Sequence, residues 1–202
     1  MRTVLVFSGK GGAGKTTLAR ELAVAGCLAG RNVALVDLDP QAGLTGWFGR
    51  RQANVPALVT LPSDHRLDRI AAAGVEELVI DLPPGVPTYV ASLIAKASVV
   101  LVPVRPSPDD LVAAAAIARS LGRHPAWAFV LSQAPPRSRL VDGALRQLAA
   151  LGRVAPASLG FRQDYPAAAI DGMAAVEFPT TKSADEIRQL RSYVDTLGEG
   201  GQ

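Results

Sequence analysis

The sequence predicts a single α/β domain in which a mostly parallel, twisted sheet carries helices on both faces. Short, continuous apolar runs alternate along the chain with longer segments of helical periodicity, as in successive strand–helix units. These runs lack the polar alternation of half-exposed strands, which is typical of parallel strands covered on both sides. The length of 202 residues suits one domain. We expect residues 1–197 to form it and the glycine-rich residues 198–202 to be a disordered tail.

The apolar runs and the periodic segments give the order of the elements. Strands are predicted over residues 3–7, 33–36, 57–60, 77–81, 97–103 and 127–131. Helices are predicted over residues 18–28, 42–51, 64–73, 108–121, 137–151 and 183–197. The best-defined helix start is at Ser107, because a serine N-cap precedes Pro108 and two acids, Asp109 and Asp110.

The segment between the first strand and the first helix has the composition of a phosphate-binding loop. Residues 9–16 fit the pattern G-x-x-x-x-G-K-[ST] in the strand–loop–helix context that this pattern requires. Glycines let backbone N–H groups close around phosphate, Lys15 supplies a positive charge, and the Thr16 hydroxyl can ligate Mg²⁺. The predicted nucleotide contacts are Gly11, Gly12, Ala13, Gly14, Lys15, Thr16 and Thr17. The alternative is a glycine-rich turn that binds nothing.

A second lysine, Lys10, lies at the start of this loop, where nucleotide binding does not require one. The run from Lys10 to Thr17 resembles the deviant Walker A motif of the ParA/MinD family of P-loop ATPases. The resemblance implies that Lys10 reaches across a nucleotide-sandwich dimer to the phosphates of the other subunit. There it would stabilise charge on the transferred phosphoryl group. The alternative is a solvated lysine at the loop edge.

Two carboxylates, Asp37 and Asp39, end the second predicted strand, which Pro40 stops. Open α/β sheets bind ligands at this edge. In the ParA/MinD family the matching D-x-D-P-Q element faces the γ-phosphate, which implies that Asp39 orients the attacking water and that Asp37 lies near Mg²⁺. Asp39 is therefore a predicted catalytic residue together with Lys10 and Lys15. Two solvated turn carboxylates are the alternative.

A third acid, Asp81, ends the apolar strand at residues 77–81 and fits a Walker B segment. It is predicted to hold Mg²⁺ through a water, which makes Thr16, Asp37 and Asp81 the predicted metal set. No glutamate follows Asp81. This argues against NTPases that place a general base there and favours the ParA/MinD class. The stiff loop at residues 83–85 is predicted to sense the nucleotide.

Two later stretches resemble small plasmid-partition ParA proteins in particular. Residues 103–110 follow the pattern P-V-x-P-S-P-x-D, and Arg162 and Tyr165 begin an R-x-x-Y…A…G stretch that ends at Gly172. With the three earlier motifs, the resemblance covers nearly the full length. It implies a small ParA-type ATPase without the extra N-terminal DNA-binding domain of larger relatives.

The composition excludes some relatives of this class. The single cysteine, Cys27, provides no ligand cluster for an iron–sulfur carrier. No apolar run approaches the ~20 residues of a bilayer span, and the first strand begins too early for a signal peptide. We therefore expect a cytoplasmic protein with no membrane partner, since acids in the last helix also oppose membrane targeting. A net charge of +3 permits a polyanionic partner without demanding one.

These features predict an ATPase that uses ATP and Mg²⁺ and produces ADP and phosphate. The resemblance implies an ATP-dependent homodimer, with filaments left open, that positions plasmid, chromosomal or protein cargo with a ParB-like or other small DNA-binding adaptor. Non-specific DNA binding, and hence nucleoid association, is expected through basic residues of the second half: Arg137, Arg139, Arg146, Arg153, Arg162, Lys182, Arg188 and Arg191. The alternatives are a MinD-like membrane-cycling ATPase and a P-loop metabolic ligase.

Overall fold

The structure is a computed structural model that describes residues 1–61, 67–85, 88–122 and 124–199. Its centre is a six-stranded sheet in which every strand pair is parallel. The strands are β1 (Arg2–Val6), β2 (Val33–Asp37), β3 (Ala57–Leu58), β4 (Glu77–Asp81), β5 (Val99–Val104) and β6 (Trp127–Leu131). Their order across the sheet is β3-β2-β4-β1-β5-β6. The predicted parallel sheet is confirmed, although β3 is shorter than expected.

Helices cover both faces of this sheet. They are α1 (Lys15–Leu28), α2 (Gly43–Phe48), α3 (Asp68–Ala72), α4 (Thr88–Lys96), α5 (Pro108–Leu121), α6 (Arg139–Leu151), α7 (Asp164–Ile170) and α8 (Lys182–Glu199). Successive strand side chains point to opposite faces, so Val4 and Val6 pack in one core with α1, α2, α7 and α8. Leu5 and Phe7 pack in a second core with α3 to α6.

Several element bounds differ from the sequence prediction. Helices α4 and α7 have no predicted counterpart, and α2 is shorter than the predicted segment 42–51. Helix α8 continues to Glu199, so residues 198 and 199 are helical rather than part of a disordered tail; residues 200–202 lie outside the described residues. Residues 64–66 of the predicted third helix also lie outside them. Within the described ranges, no helix has the length and hydropathy of a membrane span.

The predicted start of α5 is confirmed. Pro108 is its first residue, and the Ser107 hydroxyl oxygen accepts a hydrogen bond from the backbone N–H of Asp110 at 3.3 Å. This cap fixes the direction in which α5 leaves the carboxyl end of β5, beside the glycine loop.

A buried charge cluster joins α8 to the amino-terminal edge of the sheet. The Arg191 guanidinium donates to both carboxylate oxygens of Glu77, at 2.5 and 2.6 Å, and both side chains are almost fully buried. Arg2 and Arg31 approach the same carboxylate, and burial raises its pKa to about 7. Arg191 is therefore a buried structural residue. Its inclusion among the predicted DNA-binding arginines is wrong, because its guanidinium is paired with Glu77 inside the protein.

Replacing Arg191 by Ala is expected to lower the free energy of unfolding by about 3 kcal/mol, because it removes the main partner of a buried carboxylate. The matched control is Arg188→Ala on the same helix, whose guanidinium pairs with the exposed Asp185. That change is expected to cost less than ~1 kcal/mol. Urea unfolding of both variants measures the difference, and equal losses would contradict a structural role specific to Arg191.

Candidate nucleotide-binding site

The glycine loop joins β1 to α1 and leaves the first turn of α1 open to an anion. Gly12 and Gly14 adopt left-handed backbone angles, with φ of 76° and 87°, which glycine adopts without strain. A Cβ at Gly9 would lie 3.1 Å from the Ala113 Cβ, so the loop also packs closely on α5. No side chain of the described residues caps α1 at its N-terminus, where the N-cap residue is Gly14. Its free N–H groups are therefore available to phosphate oxygens.

Lys15 and Asp39 meet at the carboxyl edge of the sheet. The Lys15 ammonium lies 3.8 Å from a carboxylate oxygen of Asp39, and both side chains are largely buried, at 6% and 11% exposure. The other Asp39 oxygen accepts the N–H of Gln41 at 3.0 Å. The predicted cation and the predicted water-orienting carboxylate are thus held side by side.

Asp81 is the most deeply buried of the predicted acids. Its Oδ2 accepts a hydrogen bond from the Thr16 hydroxyl at 2.5 Å, whereas its buried Oδ1 has no partner among the described residues. Burial raises the pKa of Asp81 to about 7, against the opposing effects of the Thr16 bond and Lys15. An unpaired buried oxygen is costly unless a ligand completes it. The structure therefore provides an oxygen that a cation could satisfy.

Asp37 lies opposite Asp81 in the register of β2 and β4. Its Oδ2 accepts hydrogen bonds from the N–H and hydroxyl of Thr45 at 2.8 and 2.9 Å. Thr16, Asp37 and Asp81 thus share one edge of the sheet, and oxygen donors of this kind suit Mg²⁺. The described residues contain no group of three or more His, Cys, Asp or Glu side chains placed to hold a metal. Mg²⁺ would accordingly keep waters and phosphate oxygens in its shell.

Lys10 lies at the rim of the loop, beside the start of α5. Its ammonium pairs with the exposed Asp109 carboxylate, in the first turn of α5, at 3.1 Å. Arg105 approaches the same rim, with Nε and Nη2 held by Asp110 at 2.9 Å each and Nη1 close to Gly12. Sequence reasoning missed Arg105, although its position directly after β5 places it at the ligand-binding edge.

A cavity of about 290 Å³ opens on the opposite side of the loop, and sequence reasoning missed it as well. Gly14 and Thr17 form one side of this cavity, and Ser132 and Gln133, which follow β6, form another. Both polar side chains hold the loop: the Ser132 hydroxyl donates to the carbonyl of Ala13 at 2.8 Å, and the Gln133 amide donates to that of Gly12 at 2.6 Å. The remaining lining comes from residues 159–166.

The loop at residues 83–85 reaches the glycine loop by one backbone contact. The N–H of Gly85 donates to the carbonyl of Ser8 at 3.1 Å. Residues 86 and 87 lie outside the described residues. A nucleotide-sensing role for this loop stays a prediction.

Replacing Asp81 by Asn is expected to stabilise the nucleotide-free protein at pH 8 by on the order of 2–4 kcal/mol. Burial raises the folded-state pKa above the unfolded value, so the stability contributed by this carboxyl is greatest at low pH and is lost as pH rises through about 7. An amide does not ionise, and the gain should therefore be larger at pH 8 than at pH 5.

Urea unfolding of both proteins at the two pH values checks this expectation. Asp109→Asn is the control, since that carboxylate is 82% exposed. If Asp81→Asn is no more stable than the parent at pH 8, the buried Asp81 carboxylate does not destabilise the nucleotide-free protein, and the expectation is wrong.

Comparisons with known proteins show the family to which this chain belongs. The model of the CobQ/CobB/MinD/ParA nucleotide binding domain matches residues 4–199. The chain is 31% identical over 204 residues to the Maintenance of carboxysome distribution protein A of Gloeobacter kilaueensis, which covers 97% of this chain and 94% of that protein. It is 33% identical over 114 residues to Protein ParA of Rhizobium radiobacter, which covers 54% and 51%.

The fold is also similar to those of solved structures of ParA/MinD-type proteins. An ATP complex of a Cyanothece McdA variant aligns with a TM-score of 0.75 at 18% identity, covering 98% of this chain and 96% of that one. The predicted ParA/MinD resemblance is confirmed. This chain belongs to the CobQ/CobB/MinD/ParA family of nucleotide-binding domains, and within it to the ParA/MinD ATPases.

Proposed function

We propose that this chain is a positioning ATPase of the ParA type, which binds ATP and Mg²⁺, dimerises around the nucleotides and responds to a partner by hydrolysing ATP to ADP and phosphate. The observation that carries the proposal is the meeting of Lys15 and Asp39 beside a glycine loop with a second lysine, Lys10, at its rim. A loop that only bound nucleotide would need neither Asp39 nor Lys10.

The phosphates would lie along the loop from Gly11 to Thr17, with Lys15 over the transferred group. Magnesium, when bound, supplies charge neutralisation at the β- and γ-phosphates. Thr16, through its hydroxyl, and Asp81, through its unpaired oxygen, are the residues that would hold it, with Asp37 beside them. The Asp39 carboxylate would orient the attacking water, because it is fixed next to Lys15.

Dimerisation would bring Lys10 to the partner's nucleotide. In the single chain Lys10 is held by Asp109, but an exposed ion pair of this kind contributes only ~0–1 kcal/mol. The contact is therefore weak enough to be exchanged for a phosphate across an interface. Arg105 lies on the same rim and would add positive charge there.

The base and ribose would occupy the 290 Å³ cavity. This cavity adjoins Gly14 and Thr17, so a nucleotide whose phosphates lie on the loop would have its base end there. Its lining mixes apolar and polar groups, as nucleotide pockets require.

The cargo and the adaptor are assigned only by class. The full-length relative is named for carboxysome distribution and the partial one is a ParA, so protein compartments and plasmids are both candidate cargoes, with a ParB-like or other small DNA-binding adaptor. A MinD-like membrane cycle is less favoured, because Ile187, Leu190 and Val194 of α8 are fully buried against the domain. A metabolic ligase would show a product other than ADP and phosphate when small acids are added.

Lys15→Ala is expected to abolish ATP binding, because the polyphosphate loses its main cation. Asp39→Ala is expected to keep ATP binding, because Lys15 and the glycine loop remain, but to hydrolyse at least tenfold more slowly, because the proposed water-orienting carboxylate is lost. Calorimetric binding and phosphate release measured on both variants separate the two roles. Normal turnover in Asp39→Ala would remove Asp39 from the proposed mechanism.

Non-specific DNA binding would use exposed arginines on α6. Arg139 and Arg146 are two helical turns apart on one face, and neither makes an ion pair or hydrogen bond with the described part of the chain. Replacing both by Ala should weaken ATP-dependent retention on duplex DNA and lower the salt slope by about 0.9 per lost phosphate contact. Arg188→Ala, which removes a paired guanidinium, is the control. Retention that is equal with ATP, with ADP and without nucleotide would contradict ATP-coupled DNA binding.

A further inference from the structure

One wall of the 290 Å³ cavity is bonded to a carboxylate of the last helix, Glu186. Residues 159–166 form this wall, and three of their polar groups converge on Glu186 of α8. The N–H of Gly160 donates to it at 3.0 Å, the Tyr165 hydroxyl at 2.8 Å, and the Arg162 guanidinium at 2.6 and 2.8 Å. Glu186 is 16% exposed, so these bonds are partly shielded from water.

The wall packs closely around this carboxylate, so a side chain at Gly160 would crowd its neighbours. A Cβ there would lie 3.0 Å from the Arg162 Nε and 3.1 Å from the Glu186 Oε1. The Glu186 bonds raise the pKa of Arg162, and burial followed by the nearby Glu186 charge raises that of Tyr165. Both groups are therefore donors to Glu186 at neutral pH.

The other end of the wall is tied to the helix that follows the glycine loop. The Arg20 guanidinium donates to the carbonyl of Tyr165 at 2.5 Å, and Arg20 lies one turn after Thr17 on α1. Tyr165 is thus fixed by its carbonyl to α1 and by its hydroxyl to α8. Its position sets the width of the cavity between them.

We propose that Glu186 is a positioning residue for the base end of the nucleotide: it shapes the cavity wall through Gly160, Arg162 and Tyr165, without touching the phosphates. The inference rests on the proposed nucleotide site. It adds that a residue of α8 shapes the part of that site which would hold the base. A carboxylate accepts all four bonds, whereas a glutamine in its place would turn an N–H₂ group toward donors. Glu186→Gln should therefore disturb the wall with little change in volume.

The experiment compares ATP with inorganic tripolyphosphate, both with Mg²⁺, by calorimetry. Tripolyphosphate has no base or ribose and reports on the glycine loop alone. Glu186→Gln should weaken ATP binding about tenfold or more and leave tripolyphosphate binding unchanged within about twofold. The matched control is Asp185→Asn, at the neighbouring acid on α8, which is 60% exposed and pairs with Arg188. It should leave both affinities unchanged.

Equal losses for the two ligands, or no loss for either, would overturn the positioning role. If Glu186→Gln does not fold, Tyr165→Phe is used instead, because it removes one hydrogen-bond donor to Glu186. It must weaken ATP binding by a few-fold and leave tripolyphosphate binding unchanged. An unaltered ATP affinity in Tyr165→Phe would also overturn the positioning role. Failure of the parent protein to bind either ligand would instead overturn the proposed nucleotide site.

Discussion

The buried Asp81 carboxylate is the constraint around which the rest of the site is arranged. It lies at the end of β4, between the strands that carry the glycine loop and Asp37. One of its oxygens is bonded to Thr16, and the other has no partner in the described part of the chain. Such a group destabilises an empty protein and becomes favourable when a cation completes it. If Asp81 holds the cation as proposed, folding energy is exchanged for ligand affinity at this position, as is common at functional sites.

The glycine loop depends on contacts from both of its sides. On one side it packs against α5, where Ala113 leaves little space for a side chain at Gly9 and Lys10 pairs with Asp109. On the other side, Ser132 and Gln133 bond to its carbonyl groups. The loop is therefore held in one conformation without a ligand, which would lower the ordering cost of the proposed phosphate binding. The Lys10–Asp109 ion pair on the α5 side is exposed, so Lys10 can leave Asp109 for another anionic partner.

Local motifs made the phosphate end of the site predictable, whereas the base end depends on long-range bonds. The glycine loop, Asp37, Asp39 and Asp81 could be placed because parallel strands end at one edge of the sheet. The pairing of Glu186 with Arg162 joins a residue of α8 to one 24 positions earlier, in the segment before α7, and no periodicity encodes it. Arg191 shows the same limit, since its partner, Glu77, is 114 positions away. Helix α7 was missed because it is short and its apolar residues are mostly alanine.

The central claim is that Lys10 of one subunit serves the nucleotide of the other, and a mixing experiment tests it most directly. Lys10→Ala and Asp39→Ala are each expected to hydrolyse ATP poorly alone. In a mixed dimer, the Lys10→Ala subunit keeps its own Asp39 and receives Lys10 from its partner, so one complete site forms. Phosphate release from the mixture should exceed that of either variant at the same total concentration. A mixture no more active than its components would show that Lys10 does not act across the dimer.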